Sequence, residues 1–193
     1  NDNGYVEVDK AGNLLLTDEG DQIYLGSVFP SENLAWRNDF RWRNFNFGFM
    51  VSARLGGVVF SRTQSMLDYY GVSEATAAAR DAGGVMINGN DLVDANKWYT
   101  AIGGGNSVPQ YYTYSATNVR LQEASIGYTI PKKTLGDICE ITLSLVGRNL
   151  WMIYNKAPFD PETIATTGNY YQGVDYFMSP SMRNIGFNLR VKF

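Results

Sequence analysis

The sequence predicts an all-β protein that contributes antiparallel strands with long loops to a transmembrane barrel. Apolar and polar or glycine residues alternate without exception in the final segment, NIGFNLRVKF. Very short and very long connections alternate between the predicted strands, and large aromatic residues lie near the strand ends. These three features together are typical of outer-membrane barrels, which have short turns at one end and long loops at the other.

The composition excludes several functional classes. The 193 residues include 16 Lys+Arg and 19 Asp+Glu, giving a formal charge of −3, whereas nucleic-acid binding favours a basic surface. The chain has no His, which excludes a Ser-His-Asp triad or a His metal site built from this chain alone. Cys139 is the only cysteine, so no internal disulfide can form. No apolar run is long enough for a membrane-spanning helix, but barrel strands need apolar residues only at alternate positions. We predict that the protein is not an enzyme.

The clearest pair of strands is predicted at 33–56. Trp36, Phe40 and Trp42 share one face of the first strand. One face of the second strand carries Phe45, Phe47, Phe49, Val51, Ala53 and Leu55. The two runs meet at Arg43–Asn44–Phe45–Asn46, so the turn between them must be very short.

A second hairpin is predicted at 117–151, and a last strand at 181–193. Ile126, Tyr128 and Ile130 alternate with polar residues, but the preceding VRLQEA is out of phase, which predicts a bulge. Pro131 ends this strand because proline cannot donate to a strand ladder. In the next strand, Ile141, Leu143 and Leu145 point away from the polar residues between them.

Long loops occupy the remaining chain. Residues 1–32 are predicted to be the end of a loop with a small hairpin around 11–13, and 57–116 and 152–180 are predicted to be extracellular loops. In SEATAAARDAGG, Ser73 is a suitable helix N-cap and Gly83 a suitable stop. A second short helix is predicted at RTQSMLDYYG. Loops of this length are uncommon in compact soluble domains.

A soluble β-sandwich that binds carbohydrate or serves in adhesion is the alternative interpretation. Half-buried strands of such sandwiches also alternate. The barrel interpretation is favoured by the arginines on the second faces, which suit a wet lumen: Arg37, Arg41, Arg43, Arg54 and Arg148. Five strands cannot close a barrel, so the sheet would need partner strands from elsewhere.

Four stretches, in this order and spacing, carry a family resemblance. They are ENLAWRNDFRWRNFNFGFMVSARLGGVVFSRT, NVRLQEASIGYTIP, VGRNLWMIYNKAPFDPE and YYQGVDYFMSPSMRNIGFNLRVKF. They resemble the carboxy-terminal part of the SusC/RagA-type TonB-dependent outer-membrane receptors of Bacteroidetes. The resemblance covers nearly the whole chain and ends on the terminal Phe193.

The resemblance implies the last five strands of a barrel of about 22 strands in the outer membrane. It implies energy-coupled import of oligosaccharides or peptides, with a SusD-like surface lipoprotein as lid. The expected partners are the rest of the barrel and its plug, outer-membrane lipid, and the TonB complex through regions outside this chain. Because the chain begins at Asn1 without Met, we expect cleavage or excision from a longer protein.

Two sets of functional residues are predicted. The resemblance implies that the terminal strand is an assembly signal, carried by Ile185, Phe187, Leu189, Val191 and Phe193. Loop aromatics are candidates for ligand contact, since aromatic faces with polar tips stack on sugars and suit protein interfaces. They are Trp98, Tyr99, Tyr111, Tyr112, Tyr114, Tyr170, Tyr171 and Tyr176. Packing between loops is the alternative for each of them.

No catalytic, metal or cofactor site is predicted. Asp68, Glu140 and the acidic residues Asp18, Glu19 and Asp21 have no recognisable catalytic spacing and are interpreted as solvated charges. DKAGNLLLTDEGD resembles a calcium loop of the family but lacks the required series of acidic or amide ligands. We therefore expect no bound calcium.

Overall fold

The computed structural model describes residues 5–11, 13–17, 23–105, 108–165, 168 and 171–193. The chain divides into two compact units. The first, here called the loop unit, comprises 1–26, 59–114 and 164–178. The second, the sheet unit, comprises 27–58, 115–163 and 179–193. Among the described residues, no helix is long and apolar enough to cross a membrane.

The sheet unit contains a five-stranded antiparallel sheet. Its strands are β1 (Glu32–Trp42), β2 (Phe45–Leu55), β7 (Asn118–Ile130), β8 (Glu140–Asn155) and β10 (Asn184–Lys192), and they are paired in that order. Each strand therefore pairs with the next long strand along the chain. The prediction of a strand-dominated, barrel-type sheet is confirmed, whereas closure and a total of about 22 strands stay predictions.

The ends of the strands follow from local sequence. Arg43 and Asn44 make the two-residue turn between β1 and β2, and Arg43 has φ +53°, as such tight turns require. The β7 strand ends at Ile130, directly before Pro131. The predicted bulge is confirmed, because the pairing of β7 with β8 shifts register between Val119 and Glu123.

The loop unit combines short helices and strands. Its elements are β3 (Val58–Ser61), α1 (Arg62–Tyr69), α2 (Glu74–Asp81), β4 (Val85–Ile87), β5 (Asp91–Val93), α3 (Ala95–Ile102), α4 (Pro109–Tyr112), β6 (Thr113–Ser115) and β9 (Val174–Asp175). A 3₁₀ helix, Lys132–Leu135, joins β7 to β8 in the other unit. Strands β6, β3 and β9 form one small sheet, and β4 pairs with β5.

Both predicted helices are confirmed as α1 and α2. The Ser73 side chain accepts a hydrogen bond from the Thr76 amide, which caps α2 as predicted. Gly83 follows with φ +81°, a conformation that glycine adopts without strain and that ends the helix. The small hairpin near the amino terminus is confirmed by a bridge between Val8 and Leu14.

The core of the loop unit is built mainly from segments for which the sequence predicted no element. Its buried members are Ile87, Val93, Trp98, Ile102 and Tyr112. They come from β4, β5, α3 and α4, which together close a small apolar centre.

Candidate functional site

The five-stranded sheet has one continuous apolar face. In one row of paired residues, Phe40, Phe47, Ile126, Leu145 and Phe187 lie side by side across all five strands. The neighbouring row is Trp42, Phe45, Tyr128, Leu143 and Leu189. Directly opposed residues point to the same side of a sheet, so the two rows form one surface.

This apolar face is exposed. Phe187 is 84% exposed, and Trp36, Trp42 and Leu145 are each more than half exposed. A soluble sandwich would bury these side chains against a second sheet. Their exposure contradicts the sandwich alternative and fits a surface in contact with lipid, because monomeric soluble proteins rarely expose apolar patches of this extent.

The opposite face of the sheet is polar and internally bonded. Arg41 Nε donates to Asn46 Oδ1 (3.0 Å), and Asn46 Nδ2 donates to Thr129 Oγ1 (3.1 Å). The Thr129 and Thr142 hydroxyls lie 3.0 Å apart and share a hydrogen bond. These contacts cross four strands, so this face of the sheet is hydrophilic and suited to contact with water.

Charges on the polar face are arranged in an exposed chain. Arg37 Nε lies 2.9 Å from Asp39 Oδ2, and Arg148 Nε lies 3.0 Å from Glu123 Oε2. Arg37 Nη1 is 3.8 Å from the other oxygen of Glu123, which links the two pairs. Both arginines are among those predicted from the sequence to lie on this face.

Beside the bulge in β7, the sheet unit contains a buried polar cluster centred on Arg120. The Arg120 side chain is only 2% exposed, and its Nη2 lies 2.8 Å from Asp160 Oδ1. Its Nη1 donates to Asn149 Oδ1 (3.2 Å), and its Nε donates to Asn118 Oδ1 (3.3 Å). Glu162 adds a second carboxylate, 3.4 Å from Nη2.

Asp160 connects this cluster to the chain that leads into β10. Its Oδ2 accepts hydrogen bonds from the Ser181 amide (3.2 Å) and from the Ser181 hydroxyl. Asn149 Nδ2 donates to the Ser181 carbonyl (3.1 Å). Burial alone would raise the pKa of Asp160, but hydrogen bonds from Ser181 and Arg120 outweigh it and hold that pKa below its ordinary value. The cluster therefore fastens two chain segments around an ionised carboxylate.

No role was predicted for this cluster from the sequence. Arg120 lies in the stretch that predicted the bulge, and Asn149 and Asp160 lie in the third stretch that carries the family resemblance. The bulge supplied a signal, since it changes which side of the sheet Arg120 faces. The pairing with Asp160, 40 residues further along the chain, has no local signature.

The predicted ligand-contact aromatics occupy different places in the loop unit. Trp98 and Tyr112 are core residues, 7% and 2% exposed, so their rings serve packing between loops. Burial, reinforced by the nearby Asp68 carboxylate, raises the pKa of Tyr112 far above its ordinary value. Tyr99 and Tyr114 are half-buried.

Three of the predicted aromatics are open to solvent. Tyr111 is 44% exposed and packs edge-on against Trp98, with ring centroids 5.6 Å apart. Tyr171 and Tyr176 are 74% and 50% exposed. Tyr170 lies outside the described residues, as do Asp18, Glu19 and Asp21. Ligand contact stays a prediction for the exposed members of the set.

A cavity of about 310 Å³ opens within the loop unit. Its walls come from the end of α1, from α2 and from the start of α3, and they include Asp68, Tyr69, Tyr70, Arg80, Asn96 and Tyr99. The interpretation of Asp68 as a solvated charge is wrong: the residue is 5% exposed, and its Oδ1 accepts a hydrogen bond from Gln64 Nε2 (2.8 Å). Its place on the inner side of α1 explains the burial.

The predicted assembly-signal residues form one edge of the sheet. Ile185, Phe187, Leu189 and Val191 lie on the apolar face of β10 and are between 42% and 84% exposed. Phe193 follows β10 and is 84% exposed. Their role as an assembly signal stays a prediction.

Comparison with known proteins agrees with this architecture. The chain is 24% identical over 181 residues to TonB-dependent receptor P3 of Formosa agariphila, which covers 90% of this chain and 17% of that receptor. No family model matches the chain. The chain therefore spans less than a fifth of the curated relative that it matches.

Solved structures of the RagAB peptide importer share the fold. The open-open state aligns with a TM-score of 0.68 at 13% identity, over 98% of this chain and 20% of that chain. The closed-closed state gives 0.66 at 15% identity, over 98% and 21%.

An antiparallel sheet with an exposed apolar face and a hydrated opposite face defines the class, a strand segment of an outer-membrane barrel protein. Within that class, the sequence match and the shared fold confirm the resemblance stated above. Over nearly its whole length the chain is similar to part of a TonB-dependent receptor and shares the fold of part of the RagAB importer, and these matches support the outer membrane as its location.

Proposed function

We propose that this chain forms the last five strands of a barrel that imports oligosaccharides or peptides across the outer membrane. The observation that carries the proposal is the sheet with two chemically opposite faces, apolar on one side and hydrogen-bonded and charged on the other. The apolar face contacts lipid, and the polar face borders a hydrated passage. A barrel of about 22 strands encloses a lumen wide enough to hold a plug domain.

The proposed partners follow from the relatives. The matched receptor is named for its dependence on TonB, and RagAB is named as a peptide importer. By analogy, the receptor that contains this chain works with a SusD-like surface lipoprotein and receives energy from TonB through regions outside the chain. The unpaired edges of β1 and β10 join the remaining strands, because an open sheet edge is not tolerated in lipid.

The orientation of the sheet can be tested at two neighbouring positions of β10. In a cysteine-free full-length receptor, Phe187→Cys and Asn188→Cys are each labelled with a nitroxide in phospholipid vesicles. We expect the label at 187 to be accessible to oxygen dissolved in the bilayer and the label at 188 to a water-soluble nickel chelate. Equal accessibility of both labels to the nickel chelate would refute the barrel orientation.

Import itself is tested in cells. A strain that lacks the receptor gene is complemented with the full-length gene, and uptake of fluorescent oligosaccharides and peptides is measured with and without the lid lipoprotein. We expect uptake of one class to depend on the receptor. Uptake of every probe at the level of the deletion strain would contradict the proposed function.

A further inference from the structure

The cavity in the loop unit has a mixed polar and aromatic lining. Tyr69, Tyr70 and Tyr99 contribute aromatic rings, and Asp68, Arg80 and Asn96 contribute acceptors and donors. All of these residues belong to the loop unit. The volume of about 310 Å³ lies at the lower end of the range for small-ligand sites.

Several lining groups retain hydrogen-bonding capacity. Asp68 Oδ1 accepts a hydrogen bond from Gln64 Nε2, and the Asp68 carboxylate also lies against the Tyr112 hydroxyl, but a carboxylate can accept further hydrogen bonds. Arg80 donates from Nη1 to the Gly71 carbonyl (2.9 Å), which leaves further N–H groups of its five. The carboxamide of the Asn96 side chain makes no hydrogen bond among the described residues. Because Asn96 lines the cavity, this group can both donate and accept there.

The aromatic part of the lining is accessible. Tyr70 is 68% exposed and Tyr69 41%, and the two rings meet edge to face with centroids 5.2 Å apart. This arrangement leaves the Tyr70 ring at the mouth of the cavity rather than in the core. An exposed ring beside fixed polar groups can stack on a flat or weakly polar ligand face.

The chemistry of the lining favours one ligand class. The wall carries both acceptors and donors, and each sugar hydroxyl both donates and accepts, so a sugar ring can satisfy both kinds. The ring C–H face of a sugar can also stack on an aromatic side chain. An apolar peptide side chain would offer no hydrogen bonds to the Arg80 and Asn96 side chains that line the cavity, which is costly.

We propose that this cavity is a binding subsite for a single neutral sugar residue of a larger glycan. Tyr70 is the stacking platform, while Asp68, Arg80 and Asn96 bind the hydroxyl groups. The proposal deepens the proposed import function and rests on it for its biological meaning, since it selects oligosaccharides over peptides. Binding itself, however, is measured without transport.

The test uses the purified full-length receptor and the methyl glycosides of glucose, galactose, mannose and xylose, with trialanine as the peptide probe. Titration calorimetry and saturation-transfer NMR report binding to the wild type and to Tyr70→Ala, Asn96→Ala and Asp68→Asn. Tyr24→Ala is the matched control, because Tyr24 is an 82% exposed tyrosine of the same unit that does not line the cavity.

We expect at least one glycoside to bind, and Tyr70→Ala and Asn96→Ala to weaken it by about tenfold, the effect of losing one stacking or hydrogen-bonding contact. Asp68→Asn keeps the shape and the acceptor for Gln64, so a loss of affinity in this variant reports on the carboxylate and not on folding. The Tyr24→Ala variant should bind like the wild type.

Three results would overturn the proposal: no glycoside binds at millimolar concentration, trialanine binds here instead, or the cavity variants bind the glycoside as well as Tyr24→Ala does. Cellular uptake by the wild type is recorded in parallel. If uptake by the wild type is observed but the cavity variants bind the glycoside fully, the subsite is refuted and the import function is not. If the wild type shows no uptake, the import function is refuted, whatever the cavity binds.

Discussion

Neutralising Asp160 is the sharpest test of the buried cluster. In Asp160→Asn, the oxygen facing Arg120 can be retained, but the oxygen that accepts from the Ser181 amide becomes an NH₂ group that faces a donor. The variant also leaves the Arg120 guanidinium, 2% exposed, without its main counter-charge. Breaking a buried ion pair from one side costs about 3–5 kcal/mol.

The matched control is the exposed pair on the polar face of the sheet. Arg37 and Asp39 lie at nearly the same distance as Arg120 and Asp160, 2.9 Å against 2.8 Å, but their side chains are 57% and 62% exposed. Exposed pairs contribute about 0.2–1 kcal/mol. The Asp39→Asn variant should therefore lower the free energy of unfolding by a small fraction of the Asp160→Asn effect.

The measurement is urea unfolding of the full-length receptor in phospholipid vesicles, followed by tryptophan fluorescence. An Arg120→Met variant alone and combined with Asp160→Asn completes a double-mutant cycle, which isolates the coupling of the pair. If Asp160→Asn and Asp39→Asn change the free energy of unfolding equally, burial does not determine how much the cluster contributes to stability.

Three further results are expected. The contribution of Asp160, seen as the stability difference between wild type and Asp160→Asn, should be present above the ordinary pKa of 3.8. Because its folded pKa is lowered, that difference should shrink as the pH falls through the lower folded value; a difference that grows on acidification would contradict this sign. Leu145→Lys should reduce receptor levels in outer-membrane fractions, since lysine on the lipid face costs up to about 2–4 kcal/mol, whereas Ser144→Lys on the polar face should not; equal losses would contradict the assigned faces. Ser73→Ala should destabilise α2 by about 1 kcal/mol through loss of its cap, seen as faster amide exchange in 74–81, and unchanged exchange there would argue against the cap.

The sheet could be predicted from sequence because its signal is local and repetitive. Alternation along β2 and β10 assigns each side chain to a face, and the short turn between β1 and β2 sets the register of those two strands. The bulge was visible as a break of phase in VRLQEA. The predictions of a membrane location and of further barrel strands came from the family resemblance. Periodicity alone could not give them, since a half-buried soluble strand alternates in the same way.

In the loop unit, α1, α2 and the small amino-terminal hairpin could be predicted, because their signals, such as the Ser73 cap, are local. Helix α3 begins at an Asp94 cap, but it was not predicted, and Trp98 was expected to be an accessible loop aromatic, because no local signal shows that β4 and β5 pack against it. Burial of Asp68 depends on the same long-range packing. Such contacts join residues far apart in the chain, and a single sequence carries no signal for them.

The segment between β2 and β7, residues 56–117, begins and ends at adjacent positions of the sheet unit. The Ala116 amide donates to the Gly57 carbonyl (2.9 Å), and the Gly56 amide donates to Thr117 Oγ1 (3.0 Å). These two hydrogen bonds join the beginning and the end of the segment. Loops of quite different length can therefore be exchanged there without altering strand register, since a longer loop adds little closure entropy. Exchange of this segment would therefore replace α1 to α4 and the two strands, β3 and β6, that form a small sheet with β9, while the pairing of β2 with β7 stays the same.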